Sequence, residues 1–217
     1  MKNHPRSGFT WGNETMRKSQ LILLLVNVVL LVGFGAFYLV KLNFEFVIYV
    51  GVIIFFLFLV GLTRKSVDYT LATLVGLTVW SLLHLAGGSV KVGDARLYDF
   101  ILIRLSDTYP VWRYDQLVHI WGFASSTLVA YSLLKTAHAD MKKHPLVQGL
   151  ILVLAGLGMG ALNEILEFFV SIAVPESGVG GYVNTALDLC ADGVGTLLGL
   201  LYIRLRYVKR TFSDTRA

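Results

Sequence analysis

The sequence predicts an all-α, polytopic membrane protein: a bundle of six transmembrane helices with both termini in the cytoplasm. Three observations lead there. Of 217 residues, 55% are hydrophobic and only 15% are charged, against about 25% charged in a soluble domain, and the mean hydropathy is +0.66. Six apolar runs each reach the roughly 20 residues that a helix needs to cross the hydrocarbon core. Lys and Arg, finally, divide unequally between the two sets of connecting segments, which is how a chain encodes its orientation.

In order, residues 1–19 are polar and contain Gly, Pro and Asn, and read as a cytoplasmic N-terminal tail. The six-helix membrane domain is expected over 20–206, with spans near 20–41, 44–62, 68–87, 115–136, 146–173 and 184–205. The first run is too long for a signal-peptide core and is followed by no small-residue cleavage site, so it reads as a retained anchor. Residues 207–217 form a cytoplasmic C-terminal tail. One set of connections and tails holds Lys2, Arg6, Arg17, Lys18, Arg64, Lys65, Lys135, Lys142, Lys143, Arg204, Arg206, Lys209, Arg210 and Arg216. The other holds only Lys41, Lys91, Arg96, Arg104 and Arg113. The richer set belongs inside. The longest connection, 88–114, therefore lies outside. Its LYDFILIRL stretch is too short to span and is expected at the interface or folded over the bundle. Trp112, Tyr109 and Tyr114 suit an interfacial belt. No sequence repeat, low-complexity tract or domain-sized linker interrupts the domain. The net charge of +5 resides mostly in these short connections and is no nucleic-acid signal. Cys190 is the only cysteine, which excludes an intrachain disulfide.

Polar residues sit where lipid-grade helices should have none. The fourth span opens YDQLVHIWGF, with Asp115 and His119 four apart. The fifth holds Asn163, Glu164 and Glu167, and the sixth Asn184, Asp188 and Asp192 at successive steps of four. Residues three or four apart share one helix face. At about 1.5 Å per residue, His119 lies about 6 Å inward of Asp115. Asp188 and Asp192 lie roughly 6 and 12 Å below the outer end of the last span, and Glu167 and Glu164 roughly 9 and 14 Å below that of the fifth. All three helices thus place acids in the outer half of the bilayer, and His84 falls at a similar level.

An unpaired charge at a helix centre costs about 2.5–3.5 kcal/mol, and neighbouring carboxylates also repel one another. Three remedies exist: protonation, a divalent cation held among the acids, or a hydrated cleft into which Arg113 or Arg104 folds from above. Oxygen ligands with one imidazole suit one or two divalent cations such as Mg2+, Mn2+, Zn2+ or Fe2+. The expected metal set is Asp115, His119, Glu164, Glu167, Asp188 and Asp192, with His84, Arg104, Arg113, Asn163 and Asn184 as substrate-binding residues. Structural accounts stand beside these. Glu164 and Glu167 would also serve as an interhelical polar knot, and Asp115 and Asp188 as helix N-terminal caps. His119 and His84 would also be packing histidines, while His138 and His144 would be solvated. Cys190 reads as a small packing residue. Gly156, Gly158, Gly160, Gly193, Gly195 and Gly199 are expected to bring helices five and six close together.

The blocks YDQLVHIWGF, NEILEFF and NTALDLCADGVGTLLG, over about residues 95–205, resemble in content and order those of the YjdF-like family of bacterial inner-membrane proteins. More distantly they are similar to VanZ-like proteins. Asp115 and His119 match the first block, Glu164 and Glu167 the second, and Asp188, Asp192 and Gly195 the third. Position 192 is Asp where the VanZ-like pattern has Asn. The resemblance implies a multi-pass protein of the bacterial plasma membrane working in the cell envelope, and supplies no reaction.

The function expected is an outward-facing acidic and histidine pocket in helices 4–6 that binds a divalent cation and acts on a lipid or lipid-linked substrate. A proton-coupled carrier is the first alternative, and a structural or regulatory subunit without chemistry the second. The expected partners are membrane lipids and an envelope substrate, and no nucleic acid.

Overall fold

The computed structural model describes residues 18–137, 143–174 and 177–208. Most of the 1–19 tail, His138 and the 209–217 part of the C-terminal tail lie outside the described residues. Six helices run as α1 (Lys18–Val40), α2 (Phe44–Thr63), α3 (Leu71–Ser89), α4 (Tyr114–Thr136), α5 (Pro145–Ala173) and α6 (Tyr182–Ile203). Each is long and apolar enough to cross a membrane. α6 continues through a π-helical turn, Arg204–Val208. Six spans put residues 18 and 208 on one face, which the positive-inside rule makes cytoplasmic.

Local chemistry explains where the helices begin. Asn43 accepts the Phe46 N–H at 3.3 Å and opens α2. α3 starts three residues later than the apolar run suggested, because Thr70 caps it by accepting the Thr73 N–H at 3.1 Å. It also runs on through Gly87 and Gly88. A Cβ at either would strike the ring of Tyr98 or of Phe46, so these glycines give aromatic rings access to the helix backbone. Pro145 begins α5 at its first turn, where a missing N–H costs nothing.

α4 and α6 form the centre of the bundle, and α1 is the least buried span. The contact between α4 and α6 is backbone-close. A Cβ at Gly195 would press on the Ile120 carbonyl, and one at Gly199 on the Ala124 carbonyl and Thr127. Gly156 and Gly160 of α5 face Thr196 and Asp192 of α6. The expected approach of α5 and α6 through glycines on both sides holds for Gly156, Gly160 and Gly193; a Cβ at Gly193 would meet Leu157 at 3.6 Å. The α5 glycines meet α6 side chains, but Gly195 and Gly199 serve α4. At Gly158 a Cβ would meet nothing within 4 Å among the described residues. On the other side, Tyr38, Phe46, Val50, Ile53 and Leu85 tie α1, α2 and α3 together. Tyr38 stacks on Phe46 at 4.9 Å, and its hydroxyl donates to the Leu85 carbonyl. Trp121 of α4 donates to the Gly76 carbonyl of α3 at 3.0 Å.

The outer loop is built rather than loose. A hairpin pairs β1 (Lys91–Val92) with β2 (Ala95–Arg96), turning at Gly93, which takes φ +64°. A 3-10 turn, Leu97–Asp99, follows. The chain then doubles back, with Leu102 N–H donating to Trp112 O and Tyr114 N–H to Phe100 O, both at 2.9 Å. The LYDFILIRL stretch divides: Tyr98 inserts against Gly87, while Phe100 to Leu105 remain largely exposed.

Candidate functional site

At the outer end of α4, the Gln116 carbonyl accepts the Arg113 N–H at 2.5 Å. The first turn is thereby capped by the amide, and Asp115 is left to turn inward. It faces His119 Nε2 at 3.7 Å and accepts from Asn184 at 3.5 Å. Asp188, seventh in α6 and fully buried, accepts from Gln116 at 3.2 Å and from Asn184. Neither aspartate caps its helix, so the capping account is corrected: each carboxylate is engaged across the α4–α6 interface.

His119 is the hub. Its Nδ1 meets Asp192 Oδ1 at 2.8 Å, a distance that follows from the close α4–α6 approach at Gly195. An ionised Asp192 makes Nδ1 the protonated nitrogen and leaves Nε2 with the lone pair. One ring nitrogen lies with carboxylate oxygens of Asp115 and Asp188, all within 4.8 Å of one another, and the ring shares a second such group with Glu164 and Glu167. α5 supplies those glutamates from its inward face. Asn163 donates to Glu167 at 3.0 Å, whereas Ile165, Leu166, Phe168 and Phe169 point outward. Both oxygens of buried Glu164 lack a hydrogen bond of ordinary length, and so does Asp192 Oδ2; Thr185 and Asn163 flank Glu164. Unpaired buried acceptors of this kind are costly.

Among the described residues, Arg113 is the cation that reaches the mouth. Arg113 reaches Asn184 at 3.3 Å and stands 4.0 Å from Asp99. Arg104 does not join it. Its side chain is 71% exposed and pairs with Asp107 at 3.9 Å, since the doubled-back loop carries it away from α4. The structure thus brings Asp115, His119, Glu164, Glu167, Asp188, Asp192, Asn163, Asn184 and Arg113 together. His84 sits at the edge, its Nδ1 bonded to the Tyr98 hydroxyl at 2.5 Å and its ring stacked on Trp80 at 5.4 Å. Cys190 faces outward.

The sequence reading missed three participants. Gln116 was legible as an amide inside an apolar span. Tyr98 and Tyr49, both within electrostatic range of Asp115 and Glu167, gave no signal, because a tyrosine in a loop or in an apolar span is ordinary there and only tertiary packing brings these two toward α4 and α5. Burial, reinforced by those carboxylates, pushes the Tyr98 phenol well above its ordinary range. It therefore stays protonated and shares a hydrogen bond with His84 Nδ1. A clasp closes the outer surface: Glu45 of α2 accepts the Gly178 N–H at 2.8 Å and pairs with Arg96 at 3.4 Å.

A family described as predicted membrane protein, DUF2238, matches residues 20–209. The match extends through the first two spans, well beyond the 95–205 stretch that carried the sequence resemblance. No curated protein and no solved structure matches the chain. With nearly the whole helical bundle inside the match, this chain belongs to the DUF2238 family of predicted membrane proteins.

Proposed function

We propose that the pocket between α4, α5 and α6 binds a divalent cation and that the protein acts on a phosphate- or carbonyl-bearing lipid or lipid-linked substrate at the outer face of a bacterial plasma membrane. The observation that carries this reading is His119, shared by two carboxylate groups within 4.8 Å, next to a Glu164 whose oxygens are buried without ordinary partners. A cation would satisfy those oxygens and offset the mutual repulsion of five acids. Asp192 then acts as the outer-shell carboxylate that fixes the imidazole, and not as a ligand itself. The sequence resemblance to YjdF-like and VanZ-like envelope proteins supports the same setting.

When bound, the cation supplies Lewis acidity toward a phosphoryl or carbonyl oxygen. His119, engaged through both nitrogens, is then a ligand and not a proton carrier. Glu167, partly exposed and held by Asn163, is the carboxylate suited to take a proton. Arg113 meets an anionic head group at the mouth.

Elemental analysis of the purified protein tests the metal: stoichiometric metal in the wild type, lost in Glu164→Ala and in Asp188→Ala, supports the proposal. Protein without metal would leave His119 held between Asp115 and Asp192 by protein contacts alone. Proton-dependent flux in vesicles would then favour the carrier, and unchanged behaviour of Glu164→Gln with Asp192→Asn the structural subunit. Against a carrier, the inner halves of α5 and α6 are almost purely apolar, as in LVQGLILVLAG and TLLGLLYI.

A further inference from the structure

Between α1, α2 and α3, in the cytoplasmic half of the bundle, lies a cavity of about 950 Å³. None of the acids described above lines it. Arg64 and Lys65 stand at its mouth, exposed, and neither pairs with a carboxylate among the described residues. Asp68 beside them is already paired with Lys135 at 3.8 Å. Deeper, about 13 Å from the inner end of α1, Asn27 lines the same space and is 4% exposed. Its Nδ2 donates to the Leu23 carbonyl at 2.8 Å and to Thr78 Oγ1 at 2.7 Å. The Thr78 hydroxyl itself donates to Leu74 O at 2.9 Å, so it must accept from Asn27, which fixes the amide orientation. Among the described residues, Asn27 Oδ1 is left buried without a partner. It is an acceptor that calls for a donor.

The cavity also has an apolar annex. A slot of about 540 Å³ between α1 and α2, walled by residues such as Val28, Val32 and Phe58, shares Leu24, Leu57 and Gly61 with it. Cations at the surface, a hydrogen-bond acceptor within and a hydrocarbon slot alongside are the parts of a lipid site.

We propose that this cavity binds an anionic phospholipid of the cytoplasmic leaflet whose head group carries hydroxyls, of the phosphatidylglycerol type. The phosphate pairs with Arg64 and Lys65, a head-group hydroxyl donates to Asn27 Oδ1, and one acyl chain lies in the α1–α2 slot. The site is separate from the outer pocket and does not depend on its chemistry.

The test is native mass spectrometry of the delipidated full-length protein, titrated with phosphatidylglycerol, phosphatidylmethanol and phosphatidylcholine. Phosphatidylglycerol is expected to bind roughly 30-fold tighter than phosphatidylcholine, from two cations near the surface. Arg64→Gln with Lys65→Gln, both at exposed positions, should erase that preference. Asn27→Leu should bring phosphatidylglycerol down to the level of phosphatidylmethanol, which lacks the hydroxyls, and leave phosphatidylmethanol unchanged. Equal binding of phosphatidylglycerol and phosphatidylcholine, or a preference untouched by the double variant, would overturn the proposal. So would phosphatidylmethanol binding as tightly as phosphatidylglycerol in the wild type. Glu164→Ala should keep the lipid whether or not the outer pocket holds a metal, so the two readings fail separately.

Discussion

Gly195→Ala probes the contact on which the outer pocket is built. A Cβ at this position would lie 2.9 Å from the Ile120 carbonyl carbon and Cα, and closer still to the carbonyl oxygen. These are backbone atoms and cannot swing aside. To regain ordinary contact, α4 and α6 must separate by roughly 0.5–1 Å, which forfeits a quarter to a half of each dispersion well along the seam. The His119–Asp192 bond, 2.8 Å long, would stretch to the margin of hydrogen bonding or beyond. Overpacking of this kind costs about 1–3 kcal/mol, while replacing Gly by Ala within a helix returns about 1 kcal/mol. Gly158→Ala is the internal control. It makes the same exchange in a helix interior with nothing within 4 Å. The difference between the two variants isolates the packing cost, about 2 kcal/mol, or roughly 4–8 °C in Tm for a chain of this size. Thermal unfolding in detergent, read by intrinsic fluorescence, measures it. If both variants melt together, the α4–α6 seam is not as close as described, and the orientation of His119 loses its support.

Three further outcomes follow from the same contacts. Asp192→Asn should retain a hydrogen bond to His119 but lower metal affinity about 10- to 100-fold, measured by metal titration; an unchanged affinity would remove Asp192 from the outer shell. Tyr98→Phe should cost about 1 kcal/mol through loss of the bond to His84. Tyr98→Ala should cost about 3–5 kcal/mol because it also empties the space beside Gly87; equal Tm values for the pair would mean that the ring does not pack there. Glu45→Ala removes the acceptor of the exposed Gly178 N–H, which water can then satisfy, and should cost about 0.5–1.5 kcal/mol, whereas Glu45→Gln keeps an acceptor and loses only the Arg96 pair. Limited proteolysis between α5 and α6 should therefore speed up in the first variant more than in the second, and identical rates would argue against the clasp.

The sequence by itself determined the parts whose physics is local. Six apolar runs of membrane length dictate six helices, and the placement of Lys and Arg dictates which ends face the cytoplasm. The spacing of Asp115 and His119, of Glu164 and Glu167, and of Asp188 and Asp192 dictates that each helix shows its acids on one face at matched depth. These properties depend on helical period and rise, which neighbours do not alter. Tertiary structure decided how the faces are turned against one another. Backbone contact at Gly195 and Gly199 sets α6 against α4, and that choice pairs Asp192 with His119 and Gln116 with Asp188. The returning outer loop buries Tyr98 beside His84 and brings Arg113 to the mouth while holding Arg104 in the open. Such pairings depend on helix rotation and loop path, which are fixed only when small residues and aromatic rings on different elements meet.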